Sequence, residues 1–205
     1  MSSPMEQSHI FAETYQYYLG ELARIDLASR ADLIGGRFEN GSLSIRFYDR
    51  EYLVSTEGVI DTGGRRVTYA MRVVLCKYIL TCPAELPELS DRLVTYREFR
   101  DAAPLISYFT TNTNKIIETT FSGRLDALRQ RSVALGGDIR PSEHYDLSVQ
   151  FHALPRIPVL LNFNDQDDLF PATASILYRA SAECFLDMEC LAITGTLLAG
   201  MLIHP

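Results

Sequence analysis

The chain lacks the basic surplus on which nucleic-acid-binding domains rely: 19 Lys plus Arg stand against 26 Asp plus Glu, a formal charge of −7 over 205 residues. Such a chain repels a phosphate backbone unless a local basic patch overrides the total. Arg65 with Arg66, and Arg124, Arg129 and Arg131, are the densest basic groups, and the latter three lie in a helical pattern where surface arginines are ordinary. Nucleic acid is therefore not expected as a partner. Long apolar runs are missing too. The longest, Leu191 to Ile203, has thirteen residues, short of the roughly 20 needed to cross a bilayer. It reads as a buried or subunit-interface helix, and no membrane association is expected. The opening "MSSPMEQSHIF" has no basic segment followed by an apolar one, so the expected location is the cytoplasm.

The strong catalytic signatures are absent as well. There is no HExxH and no GxSxG, and the double glycines beginning at 35, 63 and 136 fit neither a Walker loop nor a dinucleotide fingerprint. His9, His144, His152 and His204 are scattered. Cysteine is scarce: Cys76 with Cys82, and Cys184 with Cys190, form two pairs at one spacing. Six residues along a helix rotate a side chain through about 600°, leaving helical partners roughly 120° apart. Neither pair would then chelate a metal alone, and buried, reduced thiols are expected. Asn40-Gly41-Ser42 matches a glycosylation acceptor, which carries no weight without a secretion signal.

What is present is an average globular composition, 47% hydrophobic and 22% charged, enough to bury a substantial core in one domain over residues 1–205. Ile10, Phe11, Tyr15, Tyr18, Leu19 and Leu22 recur at helical steps from Met5 to about Arg24, and a second short helix runs from Leu27 to Ile34 and stops at Gly35 and Gly36. The period then changes. Leu43, Ile45 and Phe47 alternate with polar positions, and Tyr52 to Thr56 follows a polar turn, predicting a hairpin. Asp61 to Gly64 is a loop before a buried helix from Tyr69 to Cys82, ended by Pro83 and Pro87. "LVTYREF" is a short strand; Ala102 to Gly123 and Ser122 to Leu135 read as helical, with "TTNTN" at 110–114 a poor helix former that kinks or interrupts the first. Alternation at Leu147, Val149, Phe151 and Ala153, then "VLLNF", then "FPATASILY" with Phe170, Ala172, Ala174, Ile176 and Tyr178 on one side, predicts a three-stranded meander. A last apolar helix follows, with Asp187 as its N-cap and Glu189 in its first turn. The class is α+β: antiparallel sheet, made of an N-terminal hairpin and a C-terminal three-stranded meander, packed by helices.

One stretch concentrates charge. "FNDQDDLFPA", Phe163 to Ala172, holds Asp165, Asp167 and Asp168 between two apolar strands. A calcium loop starting at Asn162 would need glycine at its sixth position and a carboxylate at its twelfth; Asp167 and Thr173 stand there instead. Asp and Asn also favour tight turns by bonding the nearby backbone, so the turn is the leading reading. A site for a cation remains the alternative, because three adjacent carboxylates repel one another unless solvated or neutralised. Arg156, between two prolines, is either an anion hook or a cap on a backbone carbonyl.

The order "LCKYIL", "YREFRDAAP", "LGGD", "YDLSVQFHALPRIPVLLNFNDQDDLFPATASILY" and "FLDMECLAITG" resembles the family of uncharacterised proteins known as DUF3786, found mainly in anaerobic bacteria and archaea. The resemblance runs from about Tyr15 to Leu202 and is densest from Asp146 to Gly195. It implies a single domain in an anaerobe's cytoplasm, near redox or methyl-transfer chemistry, with a protein partner that carries an iron-sulfur or corrinoid module; it brings no established activity or cofactor. Asp165, Asp168, Phe170, Pro171, Asp187 and Glu189 match features that look fixed in the family, and a site is expected there. Two functions follow. The leading one is a non-catalytic module that binds a small molecule or a partner, with Asp146, Arg156, Asp165, Asp168, Glu183, Asp187 and Glu189 as candidate ligand-binding residues. The alternative is a metal-dependent enzyme in which Asp165, Asp167 and Asp168 hold the ion, assisted by Asp146, Glu183 or a histidine. A homodimer through the apolar C-terminal helix is a further expectation.

Overall fold

The computed structural model describes residues 4–86 and 92–204; Pro87, expected to help end a helix, lies outside them. Helix α1 (Pro4–Leu22) turns Tyr15 and Leu22 into the core, with Phe11, Tyr18 and Leu19 packed against it, as the helical spacing predicts. Helix α2 (Leu27–Ile34) is capped at both ends. Asp26 accepts from the Ala28 amide at 3.0 Å, and Gly35, at φ 71°, reverses the chain so that the Gly36 amide reaches the Ala31 carbonyl at 2.9 Å. A left-handed residue at that position is what closes a helix end of this kind.

The expected N-terminal hairpin is the centre of a larger sheet. Strands β1 (Arg37–Glu39), β2 (Ser42–Phe47), β3 (Arg50–Ser55) and β4 (Gly58–Asp61) form an antiparallel meander. β1 and β2 are joined by Asn40 (φ 51°) and Gly41 (φ 78°). An Asn-Gly pair with both residues left-handed suits a two-residue hairpin; the glycosylation-like triplet is thus a turn. Leu43, Ile45, Phe47, Tyr52, Val54 and Val59 bury the inner face. The β2–β3 turn holds Tyr48 at φ 53°, an outlier for a bulky residue. Its buried ring reaches across the core, where its hydroxyl donates to the Thr194 carbonyl at 2.8 Å, while its amide donates to Ala153 O at 3.0 Å. That residue ties the first sheet to the second.

Helix α3 (Tyr69–Leu80) starts at Thr68, whose hydroxyl accepts from the Met71 amide at 3.3 Å. β5 (Leu93–Thr95) passes into a 3-10 turn, Tyr96–Glu98, and a second such turn, Ala103–Leu105, leads into α4 (Ile106–Phe109). "TTNTN" does interrupt that helix: Thr110–Asn114 form a π-helical turn before α5 (Lys115–Phe121). Helix α6 (Leu125–Ala134) precedes β6 (Asp138–Arg140). The predicted meander is β7 (Leu147–Leu154), β8 (Ile157–Asn164) and β9 (Thr173–Arg179), extended on its two edges by β5 and β6 into a five-stranded antiparallel sheet of order β5-β9-β8-β7-β6.

Phe170 is a correction. Expected on the inward row with Ala172, Ala174, Ile176 and Tyr178, it lies before β9 and is 67% exposed. Asp167 captures its amide and Pro171 follows it, so the backbone there cannot join the ladder. The cysteine geometry also differs, because Cys82 falls after α3 and Cys184 in a 3-10 turn (Ala180–Cys184). All four thiols are free, and Cys76, Cys82 and Cys190 are buried.

Helix α7 (Met188–Ile203) runs through the middle, packed on α3, the π-helical turn, α5 and α6. This explains why the sequence is apolar on nearly every face: Cys190 to Gly195, Leu198, Ala199 and Leu202 are all buried within the chain. Among the described residues no helix is long and apolar enough to cross a membrane.

Candidate functional site

The first turn of α7 opens into a cleft of about 300 Å³. Asp187 is the N-cap: one carboxylate oxygen accepts from the Cys190 amide at 2.9 Å, as the sequence predicts, and the other meets the Lys77 ammonium of α3 at 3.1 Å. Lys77 also stands 5.5 Å from the centre of the Tyr18 ring on α1. Three helices therefore meet at one charged corner. From that corner Ile10, Phe11 and Thr14 of α1, Val73 of α3, Ala192 and Ile193 of α7, and Leu105 and Tyr108 from the opposite side line the cavity, with Glu189 at the polar end. Ile10 and Tyr108 remain 55% and 44% exposed, so the apolar lining continues out to solvent.

Burial sets the chemistry of the corner. It holds the Tyr18 phenol above its ordinary range, against the pull of the Lys77 charge. For Lys77 burial alone would favour the neutral amine, but the hydrogen bond and charge of Asp187 outweigh it and keep the ammonium above its usual value. Burial, then the Asp187 carboxylate, pushes the Cys190 thiol well up; it is a packed thiol, not a nucleophile. Tyr96, whose hydroxyl donates to the Met188 carbonyl at 2.7 Å, is pushed up to about 12 by burial and then by Asp187 and Glu189. The cleft thus offers a largely apolar trough that also carries the Tyr18 phenol and the Asp187 and Glu189 carboxylates, with the Lys77 ammonium paired to Asp187 at its margin.

The acidic stretch is arranged otherwise. Asp165 accepts two amides on one oxygen, from Gly123 at 2.6 Å and Gln166 at 2.8 Å, and its own amide donates to Asp146 at 2.8 Å. Asp167 likewise accepts from the Leu169 and Phe170 amides at 2.8 and 2.7 Å, which holds its carboxyl below the ordinary range. Asp168 projects into solvent. Asp146 and Asp165 are brought together, but through a backbone amide, and among the described residues no group of three or more His, Cys, Asp or Glu is placed to hold a metal ion. Arg156 caps a helix end: its guanidinium donates to Leu33 O at 3.0 Å and Asp32 O at 2.8 Å, at the C-terminus of α2. Glu183 is exposed in the 3-10 turn before α7, beside Cys184. Of the sequence candidates, then, only Asp187 and Glu189 reach the cleft.

The family described as Domain of unknown function (DUF3786) matches residues 26–201. The chain belongs to that family. No curated protein and no solved structure matches it. The DUF3786 match contains Lys77, Asp187 and Glu189, whereas α1 with Ile10, Phe11, Thr14 and Tyr18 precedes it. Lys77 escaped the sequence reading, which took Tyr18 as one of the apolar positions of the first helix. The available signal was a lysine inside the otherwise apolar "VVLCKYIL" of a helix predicted to be buried, which demands a partner.

Proposed function

We propose that this DUF3786 chain is a non-catalytic binding module whose ligand is a small molecule with an apolar body and a polar head. The observation that supports it is the composition of the α1–α7 cleft: its trough is apolar and partly solvent-open, and its polar groups converge at one end. A pocket of that kind buries the body of a ligand while a few placed groups fix its head. Tyr18, with Lys77 behind it against Asp187, suits a head that accepts hydrogen bonds, and Glu189, exposed on the cleft lining, suits one that donates. The same reading sets the module in the cytoplasm, in anaerobic redox or methyl-transfer metabolism beside a partner carrying an iron-sulfur or corrinoid module, a setting that rests on the family resemblance.

The test is ligand-observed NMR with a library of amphipathic fragments bearing amine, amide or carboxylate heads, run on the native chain and on Thr14→Trp. Thr14 is half-buried on the cleft wall, so the indole should fill the trough without entering the core. Fragments that bind the native chain and are lost from the variant, at an unchanged unfolding temperature, support the proposal. Fragments that bind both chains equally, or no binders at all, overturn it.

A further inference from the structure

The turn from Asp165 to Phe170 sits away from the cleft and presents the two most exposed large apolar side chains of the described residues, Leu169 at 81% and Phe170 at 67%. Exposed apolar groups on a loose loop would be unremarkable, but this turn is fixed from several directions. Asp167 holds the Leu169 and Phe170 amides, and the Asp167 amide returns to the Phe170 carbonyl at 3.0 Å. Asp165 and Gln166 clamp the turn to the α5–α6 junction, through the Gly123 amide and through the Ser122 hydroxyl at 2.7 Å. Pro171 stiffens the exit. The carboxylates at 165 and 167 therefore act as scaffolding for an apolar tip, whereas that of Asp168 is left facing outward.

We propose that this tip is a preformed docking knob for another protein, whose surface offers an apolar socket for Leu169 and Phe170 rimmed by lysine or arginine. Binding energy concentrates in a few apolar anchors that seat in a desolvated socket, and an anchor ordered beforehand avoids the entropy lost when a loop freezes on binding. The sign of the rim follows from charge: Asp165, Asp167, Asp168 and nearby Asp146 give the tip a negative field on a chain of net −7. Nucleic acid and anionic membranes are repelled by that field, and so is a second copy of the same tip.

The test places p-benzoylphenylalanine at position 169, and for comparison at Ile60, which is 60% exposed on the first sheet, in cells that make the native chain. A protein cross-linked from 169 and not from 60 is identified, purified and titrated by calorimetry. The expected result is binding weakened at least about 30-fold by Phe170→Ser, several-fold by Asp168→Lys, and progressively by salt, with Thr14→Trp without effect. Both altered tip side chains are exposed, so the folded state should be preserved, which unfolding temperatures verify. The proposal is overturned by the absence of any adduct specific to 169, by a second copy of the chain as the sole adduct, or by a purified partner whose affinity ignores Phe170→Ser.

Discussion

Glycine inside a helix is normally a weakness, yet α7 carries two, Gly195 and Gly200, and they are expected to respond oppositely to the same substitution. Replacing an interior helix glycine by alanine gains up to about 1 kcal/mol from the backbone alone. At Gly200 a Cβ would meet nothing within 4 Å, so that gain should be realised. At Gly195 the new methyl would lie 2.5 Å from Phe109 Cε2 and 2.9 Å from the Tyr178 hydroxyl. Neither neighbour moves easily. The Phe109 ring is stacked on Tyr96 at 4.4 Å and 10° between planes, and the Tyr178 hydroxyl is shared between Leu191 O at 3.2 Å and the Thr194 hydroxyl at 3.1 Å.

Overpacking a filled core costs about 1–3 kcal/mol, and two constrained contacts place Gly195→Ala in the upper part of that range. After the backbone gain is deducted, a net loss of about 1–2 kcal/mol is expected, against a gain approaching 1 kcal/mol for Gly200→Ala. Urea unfolding of the three chains, compared at a common slope, measures the difference. For a chain of this size the loss should lower the unfolding temperature by roughly 2–8 °C. If Gly195→Ala matches Gly200→Ala within about 0.5 kcal/mol, the close approach of α7 to the Tyr96–Phe109–Tyr178 group is not rigid and the argument fails.

Two further expectations follow from the same structure. Arg156→Ala removes charged hydrogen bonds to two carbonyls at the end of α2 and should cost about 1–3 kcal/mol in urea unfolding, with Arg156→Lys in between; a loss under about 0.5 kcal/mol would mean that water caps the helix equally well. The cysteines should separate by burial when treated with a thiol reagent at pH 8: Cys184 alone is half-exposed, whereas burial pushes the Cys76 thiol up to about 12 and Cys190 well above its ordinary value. One thiol should react in the native state and four in urea without reductant, a pattern that any disulfide would break.

The parts of the fold that could be read from sequence are those whose own pattern is strong. The central helix announced itself through an apolar run with Asp187 placed as its cap, and β7 through strict alternation from Leu147 to Ala153. Of the four edge strands, β1 and β6 did not, because three residues with mostly exposed side chains carry neither alternation nor an apolar run; only their partners' free edges specify them. Phe170 was misplaced for a related reason. Hydrophobicity read alone assigns it to a strand, and the two hydrogen bonds by which Asp167 withdraws the local backbone from the ladder are visible only in three dimensions. Lys77, Tyr18 and Asp187 come from three distant stretches, so no local period could have joined them into the corner of the cleft.

How the cleft keeps its width depends on α1, which the family match at residues 26–201 does not include. That helix is anchored at Tyr15, whose buried hydroxyl accepts from the Val59 amide of β4 at 3.0 Å and whose ring lies 5.2 Å from the Arg72 guanidinium of α3. Ile10, Thr14 and Tyr18 stand four apart on the same helix and so share the face that lines the cleft. Anchor and lining thus sit on one helix, so a shift of α1 across the cleft would strain the Tyr15–Val59 hydrogen bond. On the proposed reading, the polar corner in the matched segment and the apolar wall before it divide the work: Asp187, with its partner Lys77, and Glu189 would meet the head of a ligand, and Ile10, Phe11 and Thr14 would bound its body.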